Sequence, residues 1–407
     1  MSARGGFKLK LTEIGEIPAD WEIKPISEVC HKPEYGYTQS ASEKPLGPKF
    51  LRITDIKDDG VDWQQVPFCQ CPENTVNDYL LRSGDILFAR TGATTGKSFL
   101  VRSCPRAIFA SYLIRLRAKQ ATDPEYLFQF FNSEPYWKQI RQKMVGSAQA
   151  GISATLLSTI KVPLSSIDEQ RKIASVLSTV DDAIQKTDEI IAKTQQLKKG
   201  LMQQLLTRGI GHTKFKHTEI GDIPEEWSVA RLAEITQNLD SKRVPVTEEE
   251  RDKRAGTVPY YGASGQVGWI DGYIFDEPLL LVAEDGENLE SRILPIAYCI
   301  SGKSWVNNHA HALRVNKADL KFLMHYINLM DVSPYLSGST RPKLNKSELA
   351  RIRVPYPPLA EQRQIVEILS HVDEKMEKQR QRKELLGSLK RGVMQVLLTG
   401  KVRVKVD

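Results

Sequence analysis

The sequence has few cysteines and no long apolar segment, and both absences exclude classes of protein. Its 407 residues include five cysteines, an odd number without the spacing of a disulfide framework, which is typical of a reducing cytosol. Cys69 and Cys71 have no second Cys or His pair at zinc-site spacing, so we expect ordinary thiols. No apolar run reaches the roughly 18 residues of a membrane span, and the first residues, MSARGGFKLK, lack a signal-peptide core. We therefore expect a cytoplasmic protein with no membrane partner.

Complete motifs for nucleotide binding or catalysis are also missing. The stretch FARTGATTGKS at 88–98 is close to a phosphate-binding loop, but Thr91 stands where G-x-x-x-x-G-K-[ST] requires glycine. We predict a glycine-rich turn between two strands instead, with Lys97 in solvent or against a DNA backbone. An adenine methyltransferase needs a [DNS]-P-P-[YF] motif, and VPYY at 258–261 does not supply it. No nuclease core or catalytic triad stands out, so we predict no catalytic residues and no cofactor in this chain.

What the sequence does contain is enough apolar material for two or three packed domains, and a moderate excess of basic charge. Hydrophobic residues make up 41% of the chain and charged residues 26%, which is ordinary for a globular protein. The formal net charge is +7. This excess slightly favours a nucleic-acid partner but does not establish one.

Two motifs occur twice, in the same order. TEIGEIPADW at 12–21 recurs as TEIGDIPEEW at 218–227. VPLSSIDEQRKIASVLSTVDD at 162–182 recurs as VPYPPLAEQRQIVEILSHVDE at 354–374. The blocks between these motifs share little identity, whereas repeat proteins usually keep a core and vary their loops. The pattern indicates a constant scaffold that presents two different domains.

Each copy of the second motif begins a region with the pattern of a long helix. Ser166 and Glu169 have the spacing of a capping box, and no proline or internal glycine interrupts 166–200. Apolar residues then recur at steps of three and four in both copies, as in a coiled coil. In the first copy they are Ile173, Leu177, Val180, Ile184 and Ile191, with Thr187 completing the row, and in the second they are Ile365, Leu369, Val372 and Met376. The two stripes could pack against each other, which the sustained spacing favours, or each on its own domain. About 34 helical residues would span roughly 50 Å, or one to one and a half turns of DNA.

The blocks between the motifs have the patterns of two different α+β domains. In the first block we predict strands at 50–56, 85–89 and 108–117 and a helix at 123–144. In the second block we predict strands at 279–283 and 293–299 and a helix at 317–329. The fold class is therefore α+β, with two globular domains joined by two long helices and an internal repeat.

Polar loops in each block carry the residues that could contact DNA. Amide and hydroxyl side chains read base edges, while Arg and Lys bind phosphates and guanine. Our candidates in the first block are Tyr35, Tyr37, Gln39, Arg90, Lys97 and Gln149. In the second block they are Tyr260, Tyr261, Ser264, Asn308, His309, Arg341 and Lys343. Any single loop could equally be a solvated turn, but recurrence in both halves favours a DNA interface.

His309 and His311 raise the separate question of a metal site. On a strand the two side chains would point the same way and could ligate a metal. A third ligand is not evident in the sequence. We therefore favour a hydrogen-bonded polar core or a base contact, and predict no metal.

The repeated motifs together resemble the specificity (S) subunit of type I restriction-modification enzymes. The resemblance rests on IGEIPADW and IGDIPEEW, PLSSIDEQRKI and PPLAEQRQI, helices ending in Leu-Leu-Thr, and the second-block series YYGASGQVGWID, LLLVAEDGEN and WVNNHAH. It covers essentially the whole chain. It implies two target recognition domains, each reading half of a gapped DNA site, and an antiparallel coiled coil whose length sets the spacer. The implied segments are 1–162 and 211–354 for the domains and 163–210 and 355–407 for the helical regions.

The resemblance also implies partners. Specificity subunits are non-catalytic and bind double-stranded DNA together with two methyltransferase subunits and two restriction-translocation subunits. S-adenosylmethionine, for methylation of adenine N6, and ATP with Mg would be bound by those partner subunits. Two other classes stay open from the sequence: a coiled-coil adaptor whose domains bind protein, and the recognition module of another phage-defence system.

Overall fold

The computed structural model describes residues 8–57, 60–144, 151–338 and 342–405. Contacts divide the chain into two compact units: unit 1 comprises 1–189 with 380–407, and unit 2 comprises 190–379. Each unit therefore contains one variable block and parts of both long helices. No helix in the described ranges has the length and apolar character needed to cross a membrane.

Unit 1 begins with a hairpin and continues into a mixed block. Its strands are β1 (Leu9–Thr12), β2 (Gly15–Pro18), β3 (Glu22–Pro25), β4 (Glu34–Tyr35), β5 (Lys49–Leu51), β6 (Ile56–Lys57), β7 (Gly60–Val61), β8 (Ile86–Ala89), β9 (Ser98–Leu100), β10 (Ala107–Phe109), β11 (Leu113–Leu116) and β12 (Lys161–Leu164). Its helices are α1 (Ile26–Val29), α2 (Glu73–Tyr79), α3 (Pro124–Phe131), α4 (Glu134–Met144), α5 (Ala154–Ser158) and the first part of α6 (Ile167–Arg208).

A four-stranded antiparallel sheet in the order β4-β11-β8-β9 forms the centre of unit 1. Strand β8 reads ILFA and is buried on both faces. Helix α3 packs against the sheet and begins at Asp123, whose carboxylate accepts a hydrogen bond from the Tyr126 amide at 2.9 Å. Strand β12 pairs antiparallel with β3, so the end of the block returns to its beginning.

Unit 2 has the same order of elements around a different block. Its strands are β13 (Phe215–Thr218), β14 (Gly221–Pro224), β15 (Ser228–Arg231), β16 (Thr236–Asn238), β17 (Val258–Gly262), β18 (Gly265–Ile270), β19 (Phe275–Asp276), β20 (Leu279–Ala283), β21 (Ala297–Ile300), β22 (Lys303–Val306), β23 (Ala310–Val315) and β24 (Arg353–Tyr356). Its helices are α7 (Leu232–Ile235), α8 (Glu248–Lys253), α9 (Asn288–Ser291), α10 (Leu320–Leu329), α11 (Lys346–Arg351) and the first part of α12 (Leu359–Leu397).

The central sheet of unit 2 repeats that of unit 1. Its order is β16-β23-β20-β21, and every neighbouring pair is antiparallel, as in the first sheet. Strands β15 and β24 close the block as β3 and β12 do in unit 1. Unit 2 adds a second four-stranded sheet, in the order β18-β17-β22-β19. The internal repeat predicted from the framing motifs therefore extends into blocks whose sequences share little identity.

Within unit 1, α6 and α12 run in opposite directions. Asp181 pairs with Lys390 at 2.5 Å. Asp188, seven residues further along α6, pairs with Lys383, seven residues back along α12, at 2.6 Å. Such steps of one heptad in opposite senses define an antiparallel pair.

The apolar stripe of α6 packs on both its own block and the other helix. Ile173 and Leu177 are fully buried in the core of unit 1, together with Met394 and Leu397 from α12. The predicted stripe residues Val180, Ile184 and Ile191 are half-buried. The buried end of the α6 stripe therefore packs on the block of its own unit and on the last turns of α12.

The apolar stripe of α12 behaves in the same way in unit 2. Ile365 and Leu369 are fully buried with Leu205 and Leu206, which come from the last turns of α6. Met376 is buried and Val372 is half-buried. Helix α12 continues through the polar segment KQRQRKE at 378–384 to Leu397.

Helix α6 continues through Gly200 to Arg208, within the predicted helical region 163–210, because one glycine within a long packed helix is tolerated. Four other predicted elements differ from those observed. The strand predicted at 50–56 is β5 and β6 separated by a short 3-10 helix, Ile53–Asp55, and the strand predicted at 108–117 is divided into β10 and β11. The helix predicted at 123–144 is two helices, and the hydroxyl of Ser133 bonds the Phe130 carbonyl at 2.6 Å where they separate. The strand predicted at 293–299 starts only at Ala297.

Candidate nucleic-acid interface

The repeated Glu-Gln pair at the start of α6 joins the helix to the block of unit 1. The Glu169 carboxylate accepts a hydrogen bond from the Trp21 indole at 3.2 Å and is bound by Arg403 at 2.6 and 2.8 Å. The Glu169 bond raises the pKa of Arg403. Gln170 accepts from the backbone amide of Asp123 at 3.0 Å, at the start of α3. Two neighbouring residues thus connect the helix to the opening segment and to the block.

Unit 2 repeats this joint with the second copy of each motif. Glu361 accepts from the Trp227 indole at 2.9 Å, and Gln362 accepts from the Asp319 amide at 2.8 Å at the start of α10. Here His212 takes the place of the arginine, with its Nε2 2.9 Å from Glu361. The joint explains in physical terms why the Trp and the Glu-Gln pair recur in both copies of the motifs.

The last residue of β8 leads into a surface that we call site 1, formed by Tyr35, Arg90, Tyr112 and residues 152–154. The Arg90 amide donates to the Tyr112 carbonyl at 2.9 Å, and the Arg90 carbonyl accepts from the Ile152 amide at 2.8 Å. The Arg90 guanidinium carbon lies 5.0 Å from the centre of the Tyr35 ring. Tyr35 is held in turn, because its hydroxyl accepts from the Ala154 amide at 3.0 Å. Site 1 therefore combines a cation with exposed aromatic rings.

The corresponding surface of unit 2, site 2, is formed by Glu284, Asp285, His309 and Lys343 after the end of β20. The Glu284 amide donates to the His309 carbonyl at 2.9 Å, and its carbonyl accepts from the Leu344 amide at 2.8 Å. His309 Nδ1 lies 3.0 Å from Asp285, and Lys343 Nζ lies 3.3 Å from Glu284. The backbone connections match those of Arg90, whereas the side chains are entirely different.

A buried carboxylate cluster supports site 2. Ligand atoms of Asp240, Glu284 and His311 lie within 4.8 Å of one another, as a metal site would require. Cations of the protein already balance these carboxylates, since Arg243 lies 2.8 Å from Glu284 and 3.4 Å from Asp240. Burial alone would raise the pKa of Asp240, but hydrogen bonds from His311 and from other groups lower it. We assign the cluster the role of fixing Leu344, whose carbonyl lies 2.7 Å from His311 Nε2.

The glycine-rich stretch is a hairpin loop, as predicted. It connects the antiparallel strands β8 and β9, and Gly92 and Gly96 have φ values of +81° and +87°. The Gly96 carbonyl accepts a hydrogen bond from the Tyr136 hydroxyl at 2.8 Å. A strand follows the loop, so no helix N-terminus is available there to hold a phosphate. Lys97 is exposed on this loop.

The remaining candidates of the first block lie in different environments. Tyr37 is half-buried, with its ring 5.4 Å from that of Tyr79, so it belongs largely to the core. Gln39 is exposed and its side-chain oxygen accepts from the Ser40 amide. Gln149 lies outside the described residues. Tyr112, which is 59% exposed beside Arg90, was not a candidate because it falls inside the strand predicted at 108–117; the structure divides that strand at this residue.

The candidates of the second block need one correction. Tyr260 is only 2% exposed, and its hydroxyl donates to the Val246 carbonyl at 3.2 Å. Its side chain is therefore part of the core and is removed from the predicted contacts. Tyr261 is half-buried, while Ser264 and Asn308 are exposed. Arg341 lies outside the described residues.

Comparison with known proteins identifies the family. A family model described as the type I restriction modification DNA specificity domain matches residues 18–196 and 224–386, which together make up most of the chain. The chain belongs to this family. Membership confirms the predicted resemblance and the prediction of a DNA-recognition component that is not itself an enzyme.

Relatives of this specificity subunit align along nearly its whole length. It is 30% identical to the MjaX type I restriction enzyme specificity subunit of Methanocaldococcus jannaschii, with 97% of each chain covered. It is 28% identical to the MjaVIII specificity subunit of the same organism, over 96% of this chain and 94% of the other. A 25% identical match to the EcoKI specificity subunit of Escherichia coli K12 covers 41% of this chain and 38% of that protein.

Solved structures share the fold at lower sequence identity. The S subunit of a type I restriction-modification system from M. genitalium has a TM-score of 0.60 at 15% identity, covering 96% of this chain and 98% of that one. A chain from a structural study of complex assembly and conformational transition of the type I R-M system has a TM-score of 0.57 at 19% identity. The match covers 95% of this chain and 99% of that one. These similarities establish an α+β fold with two domains and long helices.

Proposed function

We propose that this specificity subunit recognises a DNA site in two separated halves, one read by each unit. The observation that carries the proposal is the correspondence between sites 1 and 2. Arg90 and Glu284 occupy matching places after matching strands, yet one surface is cationic and aromatic and the other is a network of ion pairs. A common frame with different side chains is suited to reading two different base sequences.

The two long helices would set the unspecified gap between the halves. Helix α6 has 42 residues, which corresponds to roughly 60 Å at 1.5 Å per residue. Ile173 and Leu177 of α6 are buried in the core of unit 1 and Leu205 and Leu206 in that of unit 2, and a Glu-Gln joint connects each block to a helix start. A helical pair of fixed length would therefore allow only one spacing of the half-sites.

Catalysis would come from partner subunits. By membership of the family, the complex would contain two methyltransferase subunits that methylate adenine N6 with S-adenosylmethionine, and two restriction-translocation subunits that use ATP and Mg. The target adenine would leave the duplex for a pocket of the methyltransferase. The exposed cations of this chain, Arg90, Lys97 and Lys343 among them, would contribute salt-dependent affinity.

Coexpression tests this proposal directly. The chain would be produced with its methyltransferase in a host free of adenine methylation, and N6-methyladenine would be mapped across the genome. We expect one gapped motif with two defined halves and a single spacer length. An active methyltransferase that leaves an ungapped motif, or no motif, would contradict recognition in two halves.

A further inference from the structure

Arg90 and Glu284 mark the same position in the two units and carry opposite charges. Each is the residue directly after the buried central strand, β8 or β20. Each is fixed by two backbone hydrogen bonds of 2.8 and 2.9 Å to matching neighbours. The side chains at this position therefore start from the same point of the fold, and any difference in what they bind depends on the side chains themselves.

The Arg90 side chain is held in place but still available to a ligand. It is exposed, and its guanidinium lies over the Tyr35 ring, which the Ala154 amide fixes through the tyrosine hydroxyl. Within the described residues no carboxylate lies at ion-pair distance from Arg90. This cation–π contact restrains the guanidinium beside the ring, and its N–H groups can still donate to a ligand.

At the matching position of unit 2, the Glu284 side chain is already engaged in ion pairs within the domain. Its side chain is 14% exposed and is bound by Arg243 at 2.8 Å and by Lys343 at 3.3 Å. Arg243 also bonds the Ala310 carbonyl at 2.7 Å, so its guanidinium is used inside the domain. Among the residues that the structure describes, a guanidinium beside an aromatic ring and without a carboxylate partner is thus found at this position of site 1 and not at the corresponding position of site 2.

We propose that Arg90 reads a guanine in the half-site bound by unit 1. The inference rests on the proposed recognition in two halves and names a base in one of them. A guanidinium edge can donate two parallel hydrogen bonds to guanine O6 and N7 in the major groove, a pattern that no other base pair offers. A flexible lysine can bind a phosphate as a point charge, whereas a planar guanidinium restrained beside Tyr35 is suited to a two-bond contact of fixed direction.

The test compares methylation motifs of variants coexpressed with the methyltransferase. Arg90→Ala removes both the paired N–H donors of the guanidinium and its charge, whereas Arg90→Lys keeps only the charge. The control, Arg82→Ala, removes an exposed arginine elsewhere in unit 1. We expect Arg90→Ala to lower the preference for guanine at one position of one half-site about ten- to hundredfold. Arg90→Lys should lose most of the same preference. The other half-site, the spacer and the Arg82→Ala motif should stay as in the wild type, which also shows that the variants fold.

Three results would overturn the assignment. Arg90→Ala could lower methylation equally at all sites without changing the motif, as loss of a phosphate contact would. Arg90→Lys could keep the guanine preference, which would mean that charge is sufficient. The wild-type half-site assigned to unit 1 by domain exchange could contain no guanine. Failure of the proposed function looks different, because the wild-type protein itself would then give no gapped motif.

Discussion

Replacing Glu169 by alanine should lower the free energy of unfolding by about 3 kcal/mol. The side chain is 3% exposed, and it accepts a hydrogen bond from the buried Trp21 indole and holds Arg403 with both carboxylate oxygens. Its removal leaves a buried donor unpaired and leaves Arg403 with Asp20 as its acidic partner in the joint. Because Arg403 is partly exposed, the loss of unfolding free energy should lie at the lower end of the range for broken buried ion pairs. Denaturant unfolding followed by tryptophan fluorescence measures it.

The second joint and an exposed glutamate provide the controls. Glu361→Ala should cause a smaller loss, about 2 kcal/mol, because Glu361 is more exposed and holds an indole, a backbone amide and His212. Glu367 is exposed on α12, and its replacement by alanine should change stability by less than about 0.5 kcal/mol. If Glu169→Ala lowered the free energy of unfolding as little as Glu367→Ala, the joint would not be a principal connection between helix and block.

Lengthening both long helices by one heptad should widen the gap in the recognised site by about three base pairs. Seven residues add about 10 Å of helix, and successive base pairs are about 3.4 Å apart. The insertions belong between Asp188 and Lys198 in α6 and between Asp373 and Lys383 in α12. There the ion pairs Asp188–Lys383 and Lys198–Asp373 lie on either side and are retained. Mapping N6-methyladenine reads the new spacer directly.

A single insertion is the matched control for this experiment. Seven residues added to α6 alone would displace its pairing with α12 by a full heptad on one side of the insertion. We expect that variant to lose methylation. Removal of the insertion should restore methylation at the original motif, with both half-sites and the original gap. A double insertion that leaves the gap unchanged would show that the helices do not set the spacing.

The repeat and the periodicity made the scaffold predictable, but not the joints that hold it. The stripe at Ile173 and Leu177 follows from local spacing, and so does the helix start at Ser166, whose hydroxyl accepts from the Glu169 amide at 3.3 Å. The same spacing predicts that the Glu169 carboxylate completes a capping box. It instead bonds Trp21, which is 148 residues away. Local patterns do not contain partners at that distance.

The interface was harder to predict because exposure of an aromatic residue depends on tertiary packing. Tyr35 and Tyr260 are both tyrosines next to glycine-containing turns, yet one is 40% exposed beside Arg90 and the other is 2% exposed. Tyr112 lies in a run with the pattern of one strand, and only the sheet shows that the chain turns outward there. The charge at 90 was visible in the sequence, whereas its stacking on Tyr35 was not.

Exchange of one block tests the central claim most directly. Residues 26–160 lie between the paired strands β3 and β12, so they can be replaced as a unit by the corresponding block of a specificity subunit with another target. Methylation mapping should then show one changed half-site, with the other half and the spacer unaltered. A motif that changes in both halves, or in neither, would contradict the reading of one half-site by each unit.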